Sequence, residues 1–207
     1  MRTGIKRIGL LAGAAAVAGG VWWRRHPSAC PYSQRLWVEL PHPLITRARL
    51  REALAPRPGE RLLEVGPGTG YYALDVAEWV GPDGRLDVFD IQQEMLDHTL
   101  LRAERRGVGE RLVAMRGDAR ALPYGENELD GAYLVTVLGE IPDQEAALRE
   151  LARVVKPGGR VVVGELALGD PHWVSPRRVR AGAERAGMRL ERRFGSPLGY
   201  FARLAVE

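Results

Sequence analysis

From residue 59 onward, short apolar runs alternate with longer stretches whose apolar positions recur at helical spacing, the pattern of a mostly parallel α/β sheet. Leu62, Leu63 and Val65 form the first such run, and residues 61–65 are expected as a strand buried on both faces. A helix over 71–80 follows, stopped by Gly81-Pro82-Asp83-Gly84, and then a strand over 85–89 that ends on Asp90. Residues 92–106 place Met95, Leu96, Thr99 and Leu100 on one helical face, and Gly107 closes that helix. Strands are expected over 111–115, 129–135 and 160–166, with a helix over 144–155 begun by Pro142-Asp143 and ended at Lys156-Pro157-Gly158-Gly159. After a helix over 176–186, residues 189–194 and 200–206 alternate as an antiparallel hairpin. Seven strands with helices on both faces result.

The region before residue 59 has a different pattern. Residues 26–43 are punctuated by proline, with a short helix over 33–40 whose Tyr32, Leu36, Trp37 and Leu40 share a face, and a second helix over 44–54 follows. Residues 8–23 are uncharged and apolar, with Arg2, Lys6 and Arg7 before them and Arg24 and Arg25 after. As a helix this run is about 24 Å long against a hydrocarbon core of about 30 Å. Snorkelling cations and interfacial Trp22 and Trp23 make up the difference, so an uncleaved membrane anchor is expected. A secretory signal cleaved near Ala16-Val17-Ala18, or a buried apolar helix, are the competing readings. The expected division is 1–25 anchor, 26–58 helical extension and 59–207 ligand-binding domain.

The turn after the first strand holds the chemistry. Gly66, Gly68 and Gly70 remove each Cβ that would keep a ligand from the backbone, and the helix behind them would aim free N–H groups and its positive end at the turn. A dinucleotide fingerprint needs its third glycine where Tyr71 stands, which weakens a pyrophosphate reading. Glu64, two residues ahead of Gly66, would repel phosphates and attract a cation. Asp90 lies 20 residues beyond Gly70 at the next strand's end, where a carboxylate can take both hydroxyls of a ribose or cap the helix that follows.

The sequence Glu64-Val65-Gly66-Pro67-Gly68-Thr69-Gly70 resembles motif I of class I S-adenosylmethionine (SAM) methyltransferases, and the resemblance runs from about Arg61 to the C-terminus. Gly117-Asp118-Ala119, Leu122-Pro123, Ile141-Pro142-Asp143 and Lys156-Pro157-Gly158-Gly159 match further family positions. It implies the Rossmann-like seven-stranded methyltransferase sheet and SAM contacts at Glu64, Gly66, Gly68, Gly70, Asp90, Ile91, Asp118, Ala119 and Val135. Asp118 would accept a hydrogen bond from the adenine amino group. The pre-domain helices of similar enzymes fold over the cofactor, which puts Tyr32 and Trp37 near it, although simple packing is the alternative. Gly139-Glu140 departs from the family where the methyl group is delivered, so the acceptor does not follow from better-known relatives.

Methyl transfer from SAM needs alignment more than functional groups, and a base only where the acceptor loses a proton. Glu140, His172 and Tyr133 are the candidates by location. No spacing of His, Cys, Asp or Glu suggests a metal, and no nucleophile elbow or triad suggests hydrolysis. The net charge is +4 with a pI near 9.6, but basic residues are scattered among acids, so no nucleic-acid partner is expected. A single cysteine, Cys30, excludes an intrachain disulfide and a Cys-cluster metal site. The expected function is methylation of a small or lipid-like acceptor, a quinone or a phospholipid, by a domain on the cytoplasmic side of a membrane. An NAD-type oxidoreductase and a tethered SAM- or nucleotide-binding protein without transferase activity are the alternatives.

Overall fold

The computed structural model describes residues 27–207; the expected anchor over 8–23 and the boundary at residue 25 lie outside them, as does the side chain of Trp37. Among the described residues no helix is long and apolar enough to cross a membrane. The strands are β1 (Arg61–Val65), β2 (Arg85–Asp90), β3 (Leu112–Arg116), β4 (Leu129–Val135), β5 (Val155–Leu166), β6 (Met188–Ser196) and β7 (Gly199–Val206). They form one sheet in the order β3-β2-β1-β4-β5-β7-β6, in which only β7 runs against its neighbours. The hairpin pairs as expected, while its place at the sheet's edge, with β7 inserted between β5 and β6, is a matter of topology. Because β1 has β2 on one side and β4 on the other, the winding reverses there and leaves a crevice at the carboxyl ends of the strands.

The helices are α1 (Arg35–Glu39), α2 (Arg47–Leu54), α3 (Ala73–Trp79), α4 (Gln93–Arg106), α5 (Gln144–Val154) and α6 (Pro176–Arg185). Successive residues of a strand point to opposite faces. Leu62, Leu86, Val88 and Tyr133 accordingly pack with α2, α3 and α4, while Leu63, Val65, Phe89 and Leu134 pack with α5 and α6. Ile45, Leu50, Ala53 and Leu54 are fully buried in the first of these layers, which makes the second helix of the extension part of the domain's core.

Of the boundaries that differ from expectation, three have clear local reasons. Helix α2 starts at Arg47, because the Thr46 hydroxyl accepts the Arg49 N–H at 3.3 Å and caps it there. Helix α3 starts two residues late, since Tyr71 and Tyr72 are held in the turn by their ring contacts with His42. Strand β5 begins at Val155, which pairs with Leu129, and the Lys-Pro-Gly-Gly segment is the irregularity before Arg160 pairs with Gly131.

Candidate active site

The turn leaving β1 has Gly66, Gly68 and Gly70 at φ of 69°, 56° and 81°, the left-handed region that a side chain makes costly. A Cβ on Gly66 would also meet Val137 at 2.4 Å, and one on Gly68 would meet Val38 at 2.8 Å. The expectation of free N–H groups fails at all three, Gly68 giving its N–H to the Asp90 carboxylate. The Gly66 N–H donates to the Phe89 carbonyl at 2.8 Å and the Gly70 N–H to the Pro67 carbonyl at 2.9 Å, so they hold the turn's shape.

A cavity of about 350 Å3 lies over this turn at the carboxyl ends of β1, β2, β3 and β4. Of the residues singled out from sequence, Gly66, Gly68, Asp90, Ile91, Asp118, Ala119, Val135 and Glu140 line it. Glu64, Gly70, Tyr133 and His172 do not. Glu64 points into the α2–α3 layer instead, where it is 1% exposed and accepts the Tyr133 hydroxyl at 2.7 Å. The alternation along β1 explains this, because Val65 takes the side facing the cavity. Tyr133 is fully buried beside it, which removes both from contact with the ligand space. His172 lines a separate groove with Trp173, Arg178 and Arg185.

The acids that do line the cavity are unusual in protonation. Burial pushes the Asp90 carboxyl up to about 6, against hydrogen bonds from the N–H groups of Gln92, Ile91 and Gly68. Its Oδ1 accepts the Gln92 N–H at 2.9 Å, so it shapes the turn before α4, whose N-cap is Gln92 rather than Asp90. Burial likewise pushes Glu140 up to about 8, with Asp170 and Asp90 adding repulsion. Asp118 is the opposite case. Arg120 holds its carboxylate with an Nη2–Oδ2 distance of 2.6 Å and a backbone N–H on Oδ1 at 2.9 Å, and keeps its pKa low. At the exit of β4, Thr136 has a φ of 56°, a strained conformation for a β-branched residue, held by its N–H on the Gly164 carbonyl and its hydroxyl on the Val135 carbonyl.

The pre-domain segment covers the cavity as the resemblance implied, but through residues the sequence reading did not name. Pro27 to Cys30 and Val38 close the cavity from above, and Cys30 is a wall residue there. Gln92 straps this segment down by donating to the Cys30 carbonyl at 2.9 Å while accepting the Tyr32 N–H at 3.1 Å. The Cys30 N–H donates to Glu140 Oε2 at 3.3 Å. Tyr32 does not touch the cavity; its hydroxyl meets His98 Nδ1 at 3.0 Å. No periodicity marks a proline-broken strap, and a glutamine following Asp90-Ile91 carries no signal of its own.

The walls suit a nucleoside-bearing amino acid. A turn without Cβ atoms admits a ligand against backbone, Asp90 presents a carboxylate at the end of β2, and apolar Ile91 and Ala119 flank the space beyond it. Comparison with known proteins agrees. The chain is 37% identical over 123 residues to the ubiquinone/menaquinone biosynthesis C-methyltransferase UbiE of Ruegeria sp., a match covering 59% of this chain and 49% of the relative. It spans about half the length, or somewhat less, of the curated relatives it matches. Its fold is that of a SAM-dependent methyltransferase from Aquifex aeolicus, with a TM-score of 0.78 at 19% identity, over 86% of this chain and all of that one. The [4+2]-cyclase SpnF shares the fold too, with a TM-score of 0.64 at 27% identity over 72% of this chain and 57% of its own, so the fold alone does not name a reaction. Residues 41–171 match the ubiE/COQ5 methyltransferase family, and the chain belongs to that family.

Proposed function

We propose that this chain is a SAM-dependent methyltransferase whose acceptor is a quinone-like ring. The observation that carries the reading is the single cavity shared by Gly66, Gly68, Asp90, Ile91, Asp118, Ala119 and Val135 at the point where the strand order reverses. Asp90 would take the ribose hydroxyls, Ile91 and Ala119 would sandwich the adenine, Asp118 would accept from its amino group, and the backbone at Gly66 and Gly68 would receive the amino-acid moiety. Glu64 and Gly70 would act from behind, supporting the turn. When bound, SAM supplies an electrophilic methyl group. The protein's task is to hold an electron-rich atom in line with it and to exclude water, for which the Pro27–Cys30 roof and apolar Val135, Val137 and Ile141 are suited.

An electrophilic methyl group selects the reduced form of a quinone, whose ring carbons carry the electron density of the hydroxyls. Among the three candidate bases Glu140 alone faces the cavity and is the group positioned to handle an acceptor's proton. Residues 8–23 would tether the domain, residues 26–58 and 59–207, to the cytoplasmic face of a membrane where such rings reside, which raises their effective concentration. The uncharged run between cationic flanks supports this tether.

The test is calorimetric titration with SAM and NAD, followed by incubation of labelled SAM with reduced 1,4-naphthoquinone and with a membrane lipid extract. SAM binding and label on a ring carbon are expected. Binding of NAD alone removes the reading; SAM binding with label only on phospholipid replaces the quinone by a head group. A chain lacking residues 1–25 is expected to leave the membrane fraction, and its sedimenting with membranes would end the tether.

A further inference from the structure

We infer that Glu140 supplies the counter-charge for the ligand's sulfonium, so that the cavity tells SAM from its neutral demethylated product. The inference rests on reading the cavity as a SAM site. Geometry leads to it. The adenosine end is set by Asp90 and Ile91 at the end of β2 and by Asp118 and Ala119 after β3, and the amino-acid end by the turn at Gly66 and Gly68. A sulfonium would join these two ends, and the remaining wall of the same cavity is the segment leaving β4, from Val135 through the single turn that carries Glu140.

Charge on the walls agrees. The charged lining residues are Asp90, Asp118, Arg120 and Glu140, and Asp118 and Arg120 neutralise each other. What remains are the carboxyl groups of Asp90 and Glu140, able to carry negative charge against a cationic ligand. Among the described residues, the groups that bear on Glu140 from the elements around it include no cation. From the roof Cys30 offers an N–H to Oε2. From the loop after β5 Asp170 repels it, as does Asp90 from β2. Glu165, on β5 itself, is fully buried with Oε1 unpartnered, and it feels both Asp170 and Glu140. His172 follows Asp170 and donates its backbone N–H to that carboxylate at 2.7 Å, and Arg178 bears on Glu165. No set of these acids is arranged to hold a metal among the described residues.

A proton count follows. Glu140, pushed up to about 8 by burial, carries a proton at neutral pH when no charge faces it. A sulfonium next to it favours the carboxylate, so SAM enters and a proton leaves. Loss of the methyl group leaves a neutral sulfur, the carboxylate loses its partner, and the proton returns. Attraction is thereby present for the substrate and absent for the product.

Titration calorimetry of the full chain with SAM and with S-adenosylhomocysteine, between pH 6 and 9 in buffers of different ionisation enthalpy, measures this directly. Wild type is expected to release more protons with SAM than with S-adenosylhomocysteine near pH 7, and to gain SAM preference as pH rises, about tenfold for each unit by which the sulfonium lowers the carboxyl pKa. The Glu140→Gln chain is expected to bind both ligands without that pH-dependent gain, which cancels the contribution of the ligands' own amino groups. Asp170→Asn, which removes one repelling charge and keeps an acceptor for the His172 N–H, is expected to move the wild-type profile to lower pH. Equal proton release in wild type and Glu140→Gln overturns the inference, and so does an unmoved profile in Asp170→Asn should Glu140→Gln bind neither ligand. Failure of wild type to bind SAM at all overturns the site reading beneath it.

Discussion

Gly139 shows how little room a residue next to the cavity can have. A Cβ there would stand 1.8 Å from the His172 carbonyl oxygen and 2.7 Å from its carbon, so backbone has to move to admit a methyl group. Gly139→Ala is therefore expected to cost about 1–3 kcal/mol, the usual range for overpacking, and to lower the melting temperature by several degrees. An unchanged melting curve would show that the 170–174 loop yields without cost. Asp90 is expected to matter for binding instead. Asp90→Ala removes a charged acceptor from two hydroxyls and should weaken SAM by about 2 kcal/mol, read by calorimetry. Equal affinity in a folded variant would reduce Asp90 to a turn residue, the role its bond to the Gln92 N–H already shows.

Helix α2 illustrates how an element is fastened from outside. Its last carbonyls have no partner within the helix. Arg203 donates to the carbonyls of Ala53 and Glu52, and Arg160 to that of Leu54 at 2.6 Å while pairing with Glu60. These two arginines come from β7 and β5, so the C-terminal hairpin and the strand beside it together secure the extension. Arg203→Met keeps the aliphatic stem over the sheet and removes two hydrogen bonds to carbonyls. It is expected to lower unfolding stability by about 1–3 kcal/mol in urea, with SAM affinity within about twofold of wild type. A stability unchanged in urea would mean that water replaces the guanidinium at those carbonyls.

Across the whole molecule, buried acids set how stability follows pH. Glu64 and Glu140 are pushed up to about 8 and Asp90 to about 6, each chiefly by burial, and Glu165 is raised as well. A carboxyl whose folded pKa exceeds its unfolded value binds more protons when folded. Its share of stability is complete below the unfolded value, 4.5 for Glu, and is lost as pH rises through the folded one. The ligand-free protein is thus expected to melt at a higher temperature at pH 5.5 than at pH 8.5, the reverse of the usual gain from salt-bridged carboxylates. Glu64→Gln, which keeps an acceptor for Tyr133, should flatten part of that slope. A melting temperature that rises across this window would show that water reaches these acids.

What the order of residues determined by itself was the alternation: β1 and β4 fall within the expected limits, Arg61–Val65 and Leu129–Val135, because a strand buried on both faces must be apolar at nearly every position. The glycine turn and Asp90 were legible for the same kind of reason, since a backbone without Cβ atoms and a carboxylate at a strand end are local facts. Tertiary structure decided what spacing does not encode. Glu64 and Val65 are neighbours in sequence but point to opposite faces, and the choice of which one faces the cavity depends on the position of β4 and the α2–α3 layer. The roof over the cavity, held by Gln92 and Glu140 across 62 and 110 residues of chain, exists through long-range hydrogen bonds between groups that have no periodic signature. Glu140 itself was visible as a residue in the right place; its half-buried surroundings, without a cation among the described residues, come from four separate segments that only folding brings together.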